Sequence, residues 1–190
     1  MTYTIISGSS RKHSTSLRVS RAIKRVLEEN GAGKVHLVNF EKFDIPFFNG
    51  EALDPGNLSP FQQELTGAMK EAGSIIIVTP EYNWFPSAEL VNMLHRLGDT
   101  PYAEIWQRKV FSLAGVSSGR GGRMPAIQLG YVINKLINVF GFESVTNPRT
   151  FEVQFGRTVL AEDGSSLGNE EFDKGLKVFV KYLIRLSEKW

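Results

Sequence analysis

Three short segments carry residue types that suit ligand chemistry. The first, Gly8 to Ser16, sets hydroxyls at Ser9, Ser10, Ser14, Thr15 and Ser16 around one guanidinium, Arg11, just ahead of a helical pattern. Hydroxyls, a cation and the free N–H groups of a helix start together suit a phosphate. The spacing is not that of the two commoner phosphate loops. Gly8 is not followed by the glycines of G-x-G-x-x-G, and His13-Ser14 stands where a P-loop requires Gly-Lys. Taken alone, these serines equally suit a helix cap and a turn. Arg11 weighs toward an anion, because a cation near a helix N-terminus opposes the macrodipole unless an anion offsets it.

The second segment, Thr79-Pro80-Glu81-Tyr82-Asn83, directly follows the apolar run Ile75-Ile76-Ile77-Val78. Pro80 lacks an N–H and fixes its own φ, which ends a strand. Tyr82 and Trp84 then add flat surface beside the amides of Glu81 to Asn83, where a conjugated ring could rest. The plain alternative is a strand-to-helix turn whose aromatics pack in the core. In the third segment, Ser117-Ser118-Gly119-Arg120-Gly121-Gly122-Arg123, glycines allow close backbone approach to a ligand, and Arg120 and Arg123 are candidates for a second phosphate, such as a 2′-phosphate. A surface turn reads equally well there.

Composition narrows the chemistry. The chain has 190 residues, 42% hydrophobic and 22% charged, which fits one globular domain over residues 1–190. It has no cysteine, so disulfides, thiolate metal sites and thiol nucleophiles are excluded and any redox role needs a borrowed cofactor. His13, His36 and His95 are far apart, outside any zinc spacing, so no metal is expected. Net charge is only +2 with cations and acids interspersed, which points to small-molecule partners and away from nucleic acid. No apolar run spans a bilayer and no secretion signal opens the chain, so a soluble, cytoplasmic protein is expected.

The elements that must position these segments alternate as strand and helix along the whole chain, the pattern of βαβ units. Strands are expected at Tyr3 to Ser7, Val35 to Asn39, Ser74 to Thr79, Lys109 to Val116 and around Phe142 to Val145. The unbroken apolar third run suits the middle of a parallel sheet. Helices follow at Val19 to Leu27, Phe61 to Ala72, Ser87 to Leu97, Met124 to Phe140 and Asn169 to Glu188, and Asn30-Gly31 supplies a stop signal for the first. Phe40 to Pro60 reads as a long irregular loop near a pocket, and the stretch through Asp163-Gly164 has little pattern. The helix from Met124 to Phe140 carries too many apolar residues for one sheet-facing stripe, so its outer face is expected to meet another subunit in a homodimer or homotetramer. The expected fold is an α/β three-layer doubly wound sheet, with ligands beyond the carboxyl ends of its strands.

With these segments in place, the chain resembles the NADPH-dependent FMN reductase family, the flavodoxin-like group that includes chromate, quinone and azo-dye reductases. Gly8-Ser9-Ser10-Arg11-Lys12-His13-Ser14 is similar to the family's Gly-Ser-x-Arg-x-x-Ser phosphate loop, and Thr79-Pro80-Glu81-Tyr82-Asn83 matches its flavin-ring loop. The resemblance spans nearly the whole chain. It implies a flavodoxin-like αβα sandwich with a five-stranded parallel sheet in the order 2-1-3-4-5. It also implies bound FMN, reduced by NADPH or NADH and reoxidised by a small acceptor such as a quinone, flavin, azo compound or chromate.

By the same resemblance, Ser9, Arg11, Ser14, Thr15 and Ser16 hold the FMN phosphate. Pro80, Glu81, Tyr82, Asn83 and Trp84 cradle the ring, and Ser117, Ser118, Gly119 and Gly121 close its far edge. No catalytic acid or base is implied, because the flavin carries the chemistry. After Asn83 the family usually continues with Gly or Tyr, Ser, an apolar residue, Pro and Gly, then Leu-Lys-Asn, whereas here stand Trp84-Phe85-Pro86-Ser87-Ala88 and Leu90-Val91-Asn92, so the proline has moved and the lysine is gone. These aromatics either favour flat acceptors or narrow access for nicotinamide. A flavodoxin-type electron carrier and a flavin-free phosphate-binding domain are the alternatives from other functional classes.

Overall fold

The computed structural model describes residues 1–190. Six parallel strands form its sheet: β1 (Tyr3–Ser7), β2 (Val35–Asn39), β3 (Ser74–Pro80), β4 (Val110–Val116), β5 (Val145–Thr146) and β6 (Phe151–Val153). They are ordered β2-β1-β3-β4-β5, with β6 also pairing β4. The helices are α1 (Thr15–Glu29), α2 (Pro60–Glu71), α3 (Ala88–Leu97), α4 (Ala103–Trp106), α5 (Arg123–Phe140), α6 (Gly156–Val159) and α7 (Glu170–Lys189). This is the flavodoxin-like order expected from the sequence.

Strand β3 shows why the layers form. All seven of its residues are buried, and successive side chains leave on opposite faces. Ile75 and Ile77 enter a core with Leu65, Met69, Leu90, Met93, Leu129 and Ile133 from α2, α3 and α5. Ile76 and Val78 enter the opposite core with Val19, Ile23, Leu27, Phe179 and Leu183 from α1 and α7. A run that is apolar at every position is what a strand covered on both faces requires.

The caps follow the sequence. Ser14 starts α1, its hydroxyl accepting from the Leu17 N–H at 3.1 Å. Ser59 and Gln62 form a reciprocal capping box ahead of Pro60 on α2. Gly141 ends α5 in a left-handed conformation, donating to Ile137 O.

The C-terminal third differs from the expectation of one fifth strand around Phe142 to Val145. The edge position beyond β4 is shared by two pieces, β5 and β6, so the sheet has six strands rather than five. Phe142 instead stacks on Phe140 at 5.3 Å. The chain breaks at Asn147-Pro148. Asn147 donates its N–H to Phe111 O at 2.7 Å and its side-chain amide to the Ser112 hydroxyl at 3.0 Å. Pro148 has no N–H with which to continue the ladder. The chain rejoins the edge only where Phe151 pairs Ala114.

The short α4 was also not expected. It brings Trp106 into the core, where the indole N–H donates to Leu97 O at 2.6 Å and the ring stacks on Phe111. No helix is long and apolar enough to cross a membrane.

Just before α4, Tyr102 is buried and its hydroxyl has no hydrogen-bond partner. Burial, and after it the Asp54 carboxylate, push this phenol above its ordinary value, while Arg96 opposes the shift. Stability linked to the neutral phenol is therefore fully present below the unfolded pKa of about 10 and is lost as pH rises through the folded value. Tyr102→Phe is expected to match or exceed the parent's stability near neutral pH, by up to about 1 kcal/mol. It should also lose less stability above about pH 10, as read by urea unfolding at both pH values.

Candidate active site

The sheet changes winding direction between β1 and β3, which pair in register from Tyr3↔Ser74 to Ser7↔Val78. The loops after these two strands therefore leave side by side at the carboxyl edge. Gly8 N–H donates to Val78 O at 2.9 Å across the gap. A Cβ on Gly8 would lie 2.3 Å from the Leu90 side chain, so only glycine lets α3 approach this closely. Ser87, the N-cap of α3, donates its hydroxyl to Gly8 O, and Ser10 donates to the Glu89 carboxylate. Ser10 is thus spent on holding the loop to α3.

Between the loops lies a cavity of about 190 Å³ lined by Ser9, Arg11, Ser14, Thr15, Ser16, Pro80, Glu81, Tyr82 and Ser118, nine of the residues expected from the sequence. Lys12, Val116 and Arg157 complete its wall. The Ser9 and Tyr82 hydroxyls lie 3.0 Å apart, and the Arg11 guanidinium sits over the Tyr82 ring at 4.6 Å from its centroid. These contacts join the phosphate loop to the ring loop.

Ser14 does cap α1, so the plain reading of that residue holds, yet it also faces the cavity with its hydroxyl proton uncommitted. Ser16 is 1% exposed and its hydroxyl has no partner within the protein. A buried hydroxyl left unpaired costs about 1–3 kcal/mol. Beside it, the first-turn N–H groups of Thr15 and Ser16 have no intrahelical acceptor. Arg11, Lys12 and Arg157 face a single carboxylate, Glu81, which accepts a short hydrogen bond from Gly122 N–H. The cations of the lining outnumber its one carboxylate, and a phosphate would balance them.

Asn83 and Trp84 stand outside this cavity. They form the tip of a two-residue hairpin in which Tyr82 N–H donates to Phe85 O at 2.9 Å and Phe85 N–H to Tyr82 O at 3.0 Å. Both tip residues have positive φ, 53° and 70°. Asparagine tolerates this conformation, whereas for tryptophan it costs roughly 1–2 kcal/mol. Trp84 is 71% exposed and Phe85 62%, so neither is the core packing residue of the plain reading.

Ser117, Gly119 and Gly121 also lie outside the cavity and act through the backbone. Ser117 O and Gly119 O accept from Gly156 N–H and Phe155 N–H, and Gly121 packs against the Glu81 carboxylate. Arg123, one of two candidates for a nicotinamide 2′-phosphate, is paired with Glu152, while Arg120 has no ion-pair partner. Among the lining residues not expected, Lys12 lies inside the recognised loop. Arg157 lies in a stretch without pattern, and no sequence signal marks it.

The profile of the family described as NADPH-dependent FMN reductase matches residues 1–144. The chain belongs to that family. It is 28% identical over 117 residues to a probable NADPH:quinone oxidoreductase 2 from Oryza sativa subsp. japonica, a match that covers 62% of this chain and 56% of the relative. The chain thus spans little more than half the length of that relative.

The fold is also that of FerB, a flavoenzyme NAD(P)H:(acceptor) oxidoreductase from Paracoccus denitrificans (TM-score 0.76, 22% identity, covering 99% of this chain and 97% of FerB). An oxidoreductase from Corynebacterium diphtheriae shares it as well (TM-score 0.66, 16% identity, covering 100% and 97%). FMN, with NAD(P)H as electron donor, is the cofactor pair that family membership carries. The residues present fit its phosphate: an orphaned buried hydroxyl at Ser16, a helix start, and three cations facing one engaged carboxylate.

The third loop gives a direct test of how the site is held. A Cβ on Gly115 would lie 1.7 Å from Gly122 O, whereas one on Gly119 would meet nothing within 4 Å. Gly115→Ala is expected to destabilise the protein by about 1–3 kcal/mol and to weaken flavin binding. Gly119→Ala should leave both unchanged in thermal unfolding and flavin titration.

Proposed function

We propose that this protein is an FMN-dependent NAD(P)H oxidoreductase that reduces a small acceptor, of the quinone, flavin, azo or metal-oxyanion class. The observation that carries the reading is the cavity in which an unpaired Ser16 hydroxyl, the α1 start and three cations adjoin Tyr82. When bound there, FMN would supply the redox chemistry, taking a hydride from NAD(P)H and passing electrons on. The protein's part is to bind and orient. Ser9, Ser14, Ser16 and Arg11 grip the phosphate end, and the Tyr82 ring with the Asn83 amide faces the conjugated end, the Glu81 and Tyr82 amides being bonded to Val116 O and Phe85 O. Glu81 holds Gly122 and so fixes the third loop.

Trp84 supports a flat acceptor. Its ring is kept in solvent at the cost of a left-handed backbone, beside the loop assigned to the flavin ring. Arg120, without an ion-pair partner, is the better placed of the two arginines for a 2′-phosphate.

The purified protein is expected to be yellow and to bleach with NADPH under anaerobic conditions, with colour returning on addition of a quinone. Isolation without flavin and failure to bind added FMN would end the proposal. Bound flavin with no nicotinamide turnover would select an electron carrier of the flavodoxin type instead, a reading that the net charge of +2 disfavours because such carriers dock through acidic faces.

We also propose that the protein is a homodimer or homotetramer associating through α5. That helix buries Ala126, Leu129, Ile133 and Leu136 against the sheet, yet exposes Met124, Tyr131, Val132, Val139 and Phe140. A helix apolar on both sides calls for a second partner. Sedimentation at micromolar concentration should give a multiple of the chain mass, and Tyr131→Glu with Val139→Glu should reduce it to the monomer. A monomeric parent protein would contradict the proposal.

A further inference from the structure

The phosphate cavity contains one cation that neither the loop motif nor the family match accounts for. Arg157 lies beyond the matched residues 1–144, yet it lines the same cavity as Ser9, Arg11, Ser14, Thr15 and Ser16. It forms no ion pair and no side-chain hydrogen bond within the protein. Most other arginines are engaged: Arg18 with Glu162, Arg25 with Asp163, Arg108 with Glu143, Arg123 with Glu152, and Arg11 over Tyr82.

The short helix that carries Arg157 is built against the site from several directions. Gly156 is buried, and a Cβ there would lie 2.4 Å from Thr15 Cγ2, so glycine is what lets α6 seat on the start of α1. Phe155 N–H donates to Gly119 O at 3.0 Å and Gly156 N–H to Ser117 O at 3.3 Å, which ties α6 to the third loop. From α1, Arg18 Nη1 donates to Leu160 O at 3.2 Å, which holds the far end. The approach is strained, since Phe155 adopts φ 48°, a left-handed conformation that an aromatic residue rarely takes. Strain held by contacts on both sides is a feature of positions where geometry serves a ligand.

We propose that Arg157 is a second guanidinium for the phosphate of bound FMN, joining Arg11 in the same cavity. The proposal rests on the FMN reading above. Arg11 comes from the first loop and lies over Tyr82, whereas Arg157 comes from α6. Two guanidiniums from separate elements suit a dianionic monophosphate, and each can offer paired N–H donors. Part of the cofactor site therefore comes from the C-terminal segment after β6.

The test is a titration of the full-length chain, with Arg157→Ala, Arg157→Lys and Arg157→Glu beside the parent, using FMN and riboflavin and following flavin fluorescence. Riboflavin lacks the phosphate, so it separates a phosphate contact from a general effect on the site. Arg157→Ala should weaken FMN binding by about tenfold or more and leave riboflavin binding unchanged. Arg157→Lys should fall between parent and alanine variant, and Arg157→Glu should lose more than alanine. Equal loss for FMN and riboflavin would assign Arg157 a structural role and overturn the proposal. So would unchanged FMN affinity accompanied by a raised KM for NADPH, which would transfer the contact to the dinucleotide. If the parent chain itself binds no FMN, the FMN reading falls with it, an outcome distinct from a parent that binds while its variants are unaffected.

Discussion

Parallel pairing of β1 with β3 is the constraint on which the site depends. These strands are buried on both faces and hydrogen-bonded in register through Ser7↔Val78, so their two outgoing loops have no freedom to separate. Every further tie extends from that pairing. Gly8 bonds Val78 O, Ser87 bonds Gly8 O, and the Ser9 hydroxyl meets the Tyr82 hydroxyl. Glu81 carries the connection to the third loop through Gly122, and the third loop carries it to α6 through Gly119 and Ser117. The loops are polar and lie at the surface, but their positions are inherited from apolar packing beneath them.

That arrangement trades stability for readiness to bind. Ser16 is buried without a partner, three cations share one cavity, and Trp84 and Phe155 occupy left-handed conformations. Each of these is unfavourable in the isolated chain, and a phosphate would offset the first two together. Such local conflicts, set on a sheet whose own pattern is consistent throughout, concentrate where function requires them.

The family frame and the individual chain separate at two places. One is the hairpin after Asn83, where Trp84 and Phe85 stand in solvent. The other is the segment after Asn147-Pro148, which gives the sheet its divided edge and returns the chain, through β6 and α6, to the phosphate loop. The family match ends at residue 144, before that return begins. Eleven of the lining residues thus fall within the family match, and Arg157 lies outside it.

The sequence by itself determined most of the local elements and marked two loops as candidates for a ligand. The run Ile75 to Val78 reads as a central strand because every position is apolar, Ser14 suits a helix start because its hydroxyl serves a free amide, and the two loop motifs point to phosphate and ring chemistry only together with the family resemblance. Tertiary structure alone decided which residues meet. Arg157 and Ser16, about 140 positions apart, line one cavity, and the fifth position of the sheet is filled by two pieces because Asn147 is held by β4 and Pro148 cannot extend the ladder. Glu81, read as a ring contact, spends its carboxylate on Gly122. Trp84 points outward because the backbone turns left-handed beneath it. Periodicity and capping are properties of neighbours along the chain, and so can be read from it. Contacts between distant segments depend on how the sheet edge, the glycines at 115 and 156 and the buried side chains fit together, and no local pattern encodes that fit.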